Sequence, residues 1–319
     1  MRPRKKKGSS TGWTLVEIIV ASAVFAILLV GFAKAYHHLR QVMALGDAVE
    51  QMKLRSDGID EVFQAVAPSS IRLFSQDPGS FPFFSRLSAP PPLTGWQAPN
   101  VDGSSSGNVF LVLARWKALD VVVGTETVRI DLVRFHYIFP SYGEGIMLGT
   151  NTFRELHYWE SKPYANLNNI NVILSPALKS SVVSYLYSTR GIFYAMDIGA
   201  INPNEAFFSL SAGGAVASDP AHTIPQDRLV NLTRGGGVER GSYRIGLAPN
   251  ILFSAGLLHT VPRYNAASGD FPSGFEVVFR RTNTQRRDVV VRCVLLAKGA
   301  FPKPRTYELA SQFAVRDVW

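Results

Sequence analysis

The stretch "GWTLVEIIVASAVFAILLVGF", Gly12 to Phe32, decides how the rest of the chain is read. From Trp13 to Ala33 there are 21 residues, of which Thr14, Glu17 and Ser22 are strongly polar. That is the length an α-helix needs to cross the hydrocarbon of a bilayer. Ahead of it, "MRPRKKKGSST" carries Arg2, Arg4, Lys5, Lys6 and Lys7, whereas Lys34 and Arg40 are the first basic residues after it. The positive-inside rule keeps such a leader in the cytoplasm and exports the long C-terminal part.

Three readings of this segment stand side by side: a plain signal-anchor, a secretory signal cut after Ala33-Lys34-Ala35, and a processed helix. Glu17 separates them, because a carboxylate inside a membrane segment is costly and neither of the first two readings has a use for it. Cleavage between Gly12 and Trp13 would leave a free α-amino group at the start of an apolar helix, with Glu17 about one turn further on. An ammonium and a carboxylate on neighbouring subunits then offset each other's burial on assembly.

A basic leader ending in Gly12, followed by "WTLVEIIVASAVFAILLV", resembles the prepilin signal of type IV pilins and type II secretion pseudopilins. The resemblance implies that prepilin peptidase recognises Gly12 and cuts before Trp13. It also implies that Trp13 becomes an N-methylated terminus, standing where Phe is commoner, and that Glu17 is the assembly residue. The fold it implies is α+β: a long N-terminal transmembrane and amphipathic helix packed on a mainly antiparallel β-sheet head. The closing segments "YRIGLAPNILFSAGLL", "FEVVFRR", "VVVRCVLLA" and "YELASQFAVRD" resemble the end of large minor pilins and J-type pseudopilins. The partners implied are other pilins or pseudopilins, prepilin peptidase and the bacterial inner membrane. The head's size and loops point to a rare initiating or tip-proximal subunit with no enzymatic activity. The alternative is a membrane-anchored or secreted stand-alone β-rich binding protein or hydrolase.

The domain reading follows: a leader over 1–12, a long helix over 13–67 with 13–35 in the membrane, a connector over 68–107 and a β-rich head over 108–319. Past the membrane, Ala35, Leu39, Val42, Val49, Met52, Ile59, Val62, Phe63 and Val66 recur at helical spacing, predicting one apolar stripe. Between them Arg40, Gln41, Asp47, Glu50, Lys53, Arg55, Asp57 and Glu61 read as the solvated face, and Pro68 closes the run. The connector, with Pro90-Pro91-Pro92 and "GSSSG", reads as nearly devoid of regular structure. Its Phe81, Phe83, Phe84 and Trp96 are expected to lie against the head.

In the head, "TVRIDLVRFHYIF" alternates Val128, Ile130 and Leu132 against Arg129 and Asp131, then Phe135, Tyr137 and Phe139 against Arg134 and His136. "RTNTQRRD" reads as a hairpin loop, "SPALKSSVVSYLYS" as holding a short helix, and "NPNEAFFSLSAGGAVASDPAHTIPQD" as an insertion or mobile loop.

Candidate chemistry is sparse. Of the nine excess positive charges five lie in the leader, so the remainder is mildly basic and no nucleic-acid partner is implied. The six histidines, His37, His38, His136, His157, His222 and His259, lack metal-site spacing. "LTRGGGVERG" fits neither a P-loop nor a dinucleotide fingerprint, and Arg280, Arg281, Arg286 and Arg287 read as the dressing of a hairpin. Cys293, the single cysteine, excludes an intramolecular disulfide and sits in a strand as a small hydrophobe. Asn231-Leu232-Thr233 matches a glycosylation sequon. No catalytic residue, metal site or cofactor is expected.

Overall fold

The computed structural model describes residues 13–90, 96–100, 106–148, 151–234, 243–248, 274–281, 286–299 and 305–316. The side chains at 142–148, 151–153, 281, 286 and 316 stand outside that description. The fold is α+β: a long apolar N-terminal helix and a large, mostly antiparallel sheet.

Helix α1 (Leu15–Val66) runs for 52 residues, about 78 Å at 1.5 Å per residue. Thr14 caps its start, and Ala67 and Pro68 follow its end. It continues through Gly46 and Gly58, beside which a Cβ would meet open space. Ala44, Ala48, Met52, Arg55, Ser56, Ile59, Phe63 and Val66 form the buried face. The stripe read from the sequence is therefore right at Met52, Ile59, Phe63 and Val66. Ala35, Leu39 and Val42 are exposed, because the sheet lies under the helix only from Ala44 onward, and Val49 is exposed because it falls off the buried face that Ala48 and Met52 make. Arg55, assigned to the wet face, is buried and donates to the carbonyl of Thr233.

The sheet begins with β1 (Ser70–Phe74), β2 (Phe110–Val123), β3 (Glu126–Leu148), β4 (Asn151–Ser161) and β5 (Tyr164–Asn166). Then come α2 (Leu167–Asn171), α3 (Pro176–Arg190), β6 (Tyr194–Met196), α4 (Pro203–Ala206), β7 (Phe207–Leu210), β8 (Val216–Ser218) and β9 (Gln226–Asn231). The chain closes with β10 (Tyr243–Leu247), β11 (Phe275–Arg281), β12 (Arg286–Gly299) and β13 (Arg305–Arg316). The path of pairing runs β11-β12-β10-β4-β3-β5-β6-β7-β8, with β1 on β2, β2 on β3, β9 on β4 and β13 on β12. All pairs are antiparallel except β5 with β6.

β10 and β11 lie end to end along one side of β12. The N–H of Ala248 donates to the carbonyl of Val294 at 2.9 Å, and the N–H of Val294 donates to the carbonyl of Gly274 at 2.6 Å. The chain thus leaves this strand line at Ala248 and rejoins it at Gly274. A Cβ at Gly274 would meet the Val294 oxygen at 2.7 Å and the Ala248 backbone at 3.1 Å, so the crossing needs a residue with no side chain.

The sheet is covered on both faces. On one, α1 packs Phe63 against Phe110, Phe275 and Phe313, with ring centroids 5.4, 6.2 and 5.8 Å apart. Further along that face α2 and α3 cover Val121, Ile130 and Leu132 with Leu167, Ile170, Val182, Val183 and Leu186. On the other face, Val133, Phe135, Tyr137 and Phe139 pack with Phe74, Phe83, Phe84, Trp159, Tyr164 and Phe207. The change of phase in "TVRIDLVRFHYIF" is therefore no bulge in β3. Its even positions meet α3 and then α1, its odd positions from Val133 onward meet the aromatic layer, and Arg134 and His136 fall between the two helical covers.

The connector departs from expectation, since β1 and a 3-10 helix (Phe81–Arg86) give it regular structure. Its aromatics do lie on the head: Phe83 and Phe84 are buried, and Phe81 stacks on Trp96 at 5.6 Å. The stretch read as an insertion or mobile loop is also built, as α4, β7 and β8. What the polar composition hid is a buried anchor, His222, bonded to the hydroxyl of Tyr164 at 2.8 Å and to Asp219 at 3.0 Å. α3 is the helix expected from "SPALKSSVVSYLYS", capped by Ser175 and closed by Gly191 in the left-handed region, φ 64°. Residues 282–285 of the expected hairpin loop lie outside the described residues, while β11 and β12 pair in register up to Arg281 and Arg287.

Candidate functional site

Two places hold chemistry that packing alone does not require. The first is the start of α1. Trp13 is 72% exposed, and Leu15, Ile19, Phe25, Leu29 and Phe32 are each more than half exposed. The first buried residue of the helix is Ala44. An 18-residue window near the N-terminus reaches a mean hydropathy of 2.7, enough by length and composition to cross a membrane. Glu17 is the carboxylate of this segment, and it turns back on the helix start. Its Oε2 accepts from the Thr14 N–H at 2.8 Å and from the Thr14 hydroxyl at 3.1 Å, and the Glu17 N–H donates to Thr14 Oγ1 at 3.3 Å.

This is a reciprocal capping box, satisfying N–H groups that the first turn leaves without partners. The spacing Thr14-x-x-Glu17 carries that signature in the sequence, a local role for the acid that the membrane argument passes over. Gly12 lies outside the described residues.

The second place is a polar band on the α1 face of the sheet, between the α1 and α3 contacts. Arg134 of β3 pairs with Glu160 of β4 and reaches Asp227 of β9 at 3.0 Å. Beside them the Nδ1 of His136 bonds the Tyr158 hydroxyl at 2.7 Å, and that hydroxyl lies 3.4 Å from Glu160 Oε2. His136, Tyr158 and Glu160 are buried. Desolvation pushes His136 down to about 4, with Glu160 opposing the shift, so the imidazole is neutral at pH 7. Desolvation likewise raises the Tyr158 phenol, helped by Glu160. Trp116 of β2 lies over the Arg134 guanidinium at 4.0 Å. Tertiary pairing brings this group together from four strands, and no local spacing announces it.

The remaining candidates sit apart. His37 contacts Gln41 at 3.0 Å on the exposed part of α1, and His38 is exposed nearby. His157 bonds Ser141 at 2.7 Å, and burial lowers it. His259 lies outside the described residues. Among the described residues no group of three or more His, Cys, Asp or Glu could hold a metal ion. Cys293 is fully buried and its thiol is pushed up to about 12 by desolvation, so it has no nucleophilic character at neutral pH.

Asn231 uses its side-chain oxygen to accept from the Thr233 N–H, the Thr233 hydroxyl and the Arg234 N–H. The sequon is thus an Asx turn seating a buried Thr233, which in turn accepts from Arg55 and from the Leu156 N–H. Of the four hairpin arginines, Arg280 is exposed and Arg287 half-buried, and the side chains of Arg281 and Arg286 lie outside the description. Residues 235–241 of the Gly-rich stretch lie outside it as well. No family model matches the chain, and neither does any curated protein or solved structure.

Proposed function

We propose that this chain is a pilin-like structural subunit. Prepilin peptidase cuts it between Gly12 and Trp13, the first half of α1 holds it in the bacterial inner membrane, and the head lies outside the cytoplasm. From there it joins a type IV pilus or a type II secretion pseudopilus. What carries the reading is the contrast along one unbroken helix. From Trp13 to Arg40 every residue is exposed, and from Ala44 the same helix is fastened into the sheet by Met52, Ile59, Phe63 and Val66. A plain anchor needs no such continuity. In a fibre it is useful, because contacts made by the membrane half position the head as one rigid body.

Glu17 supplies the test. Glutamine retains the capping-box hydrogen bond but carries no charge, whereas alanine loses both. Glu17→Gln and Glu17→Ala are both expected to insert and to be processed to a chain beginning at Trp13, as read by intact mass. Both are expected to be lost from the sheared fibre fraction. Incorporation of Glu17→Gln at the parental level would sink the carboxylate account and leave the acid as a cap. A chain still beginning at Met1 would return the head to a stand-alone, membrane-anchored role.

A further inference from the structure

The polar band has a rim that is built and then left open. Trp116 is the extra residue in the bulge where β2 slips against β3 between Arg115 and Lys117. A bulge re-aims the side chain it carries, and this one is 41% exposed. The Arg134 guanidinium lies at 4.0 Å from the ring and the Lys117 ammonium at 4.2 Å. Arg134 is held in turn by Glu160 and Asp227, so the indole is presented on a fixed base. The carboxylates of the band face Arg134. Lys117 and the exposed Arg228, which stands opposite Glu160 on β9, form no ion pair among the described residues. The rim is therefore cationic around a rigid tryptophan, a composition typical of residues that dominate protein interfaces.

The complement lies on the same chain. The outward side of α1 carries Glu50, Leu54, Asp57 and Glu61 at spacings of four, three and four, all exposed, with Lys53 as the cation beside them. Leu54 is 55% exposed between the carboxylates. Lys117 and Arg228 lie roughly 15–20 Å apart, by strand spacing and rise. Glu50 and Glu61 are separated by about 16 Å along the helix.

We propose that the Trp116 platform of one copy receives the Glu50–Leu54–Asp57–Glu61 stripe of a second copy, with Leu54 against the indole and the carboxylates on Lys117 and Arg228. Two different patches meet, so the contact is heterologous and extends an array instead of closing a dimer. It rests on the pilin-like reading for its setting, and it requires more than one copy per fibre, against the single initiating place suggested by the head's size.

The test uses two full-length chains with different tags, co-expressed and extracted in detergent, one carrying Lys53→Cys beside the acidic stripe and the other Arg115→Cys beside Trp116, exposed positions that belong to neither set of proposed contacts. Cys293 is buried and does not compete for a short bismaleimide. A mixed-tag adduct is expected. With the same reporters, adding Lys117→Glu and Arg228→Glu to the Arg115→Cys copy should cut the adduct about tenfold. Glu50→Lys with Asp57→Lys in the other copy should restore it.

No more mixed product than Lys53→Cys gives with Ser188→Cys on α3, or linkage to a different protein alone, would overturn the proposal. The N-terminal residue and recovery in the fibre fraction are scored on the same cells. Failure of the pilin reading therefore shows there, and failure of the self-contact shows in the adduct.

Discussion

Replacing Arg134 by methionine tests the polar band directly. The side chains of Arg134 and Glu160 are each 12% exposed, so their pairing is nearly desolvated, whereas Asp227, at 41%, keeps much of its water. Arg134→Met fills similar volume but leaves the Glu160 carboxylate, on β4 beside β9, without its buried partner. Breaking a buried pair from one side costs about 3–5 kcal/mol. The lost contact with Trp116 adds up to about 1 kcal/mol. Asp227 gains back a little by returning to water, since exposed pairs contribute about 0–1 kcal/mol.

The sum, roughly 4 kcal/mol, is a large part of the 5–15 kcal/mol that holds an ordinary domain together. Urea unfolding in detergent, followed by tryptophan fluorescence, should show a clear fall in midpoint. Arg134→Met with Glu160→Met removes both charges, and such replacements are often neutral or stabilising. The double variant should therefore regain most of the loss. A single variant that costs less than about 1 kcal/mol, or a double variant no better than the single, would refute the claim that Arg134 exists to hold Glu160.

Phe63→Ala should remove about 3–5 kcal/mol by opening a cavity among Phe110, Phe275 and Phe313, while insertion and processing stay unchanged. Thermal unfolding followed by near-UV circular dichroism measures the first, and intact mass the second. Gly274→Ala should destabilise by about 1–3 kcal/mol, because its Cβ must displace the Val294 and Ala248 backbones. Equal stability in a urea titration would show that the strand line yields there.

Acid should loosen the head. Burial depresses His136 to about 4, and it lowers His157 and His222 as well. The native state therefore holds them neutral while the unfolded chain takes up protons from about pH 6.5 downward. Stability is full above that pH and is lost as pH falls towards 4, by about 3 kcal/mol for His136 alone. His136→Gln should flatten the slope of the urea midpoint between pH 7 and 4.5. An unchanged slope would remove His136 from the account.

The N-terminal helix of this protein is written in its sequence because its cues are local. Apolar length, the leader's charge, Thr14-x-x-Glu17 and helical spacing each act within a turn or two, and α1 follows them from Leu15 to Val66. Alternation in the strands was legible for the same reason, as was α3 between Ser175 and Gly191.

What covers each strand is another matter. Arg134 and His136 look like a wet face beside Phe135 and Tyr137, yet they lie between two helical covers on a sheet packed on both sides. Arg55 looks like solvent-facing charge until the Thr233 carbonyl, 178 residues away, is laid against it. The connector and the stretch around His222 read as loops because their contacts are distant, with His222 reaching Tyr164 and β1 pairing with β2. The sequence by itself determined the elements, since hydrogen bonding within a helix and alternation along a strand depend on near neighbours. Tertiary structure alone decided which polar groups are buried and paired, because burial depends on whichever surface arrives from elsewhere in the chain.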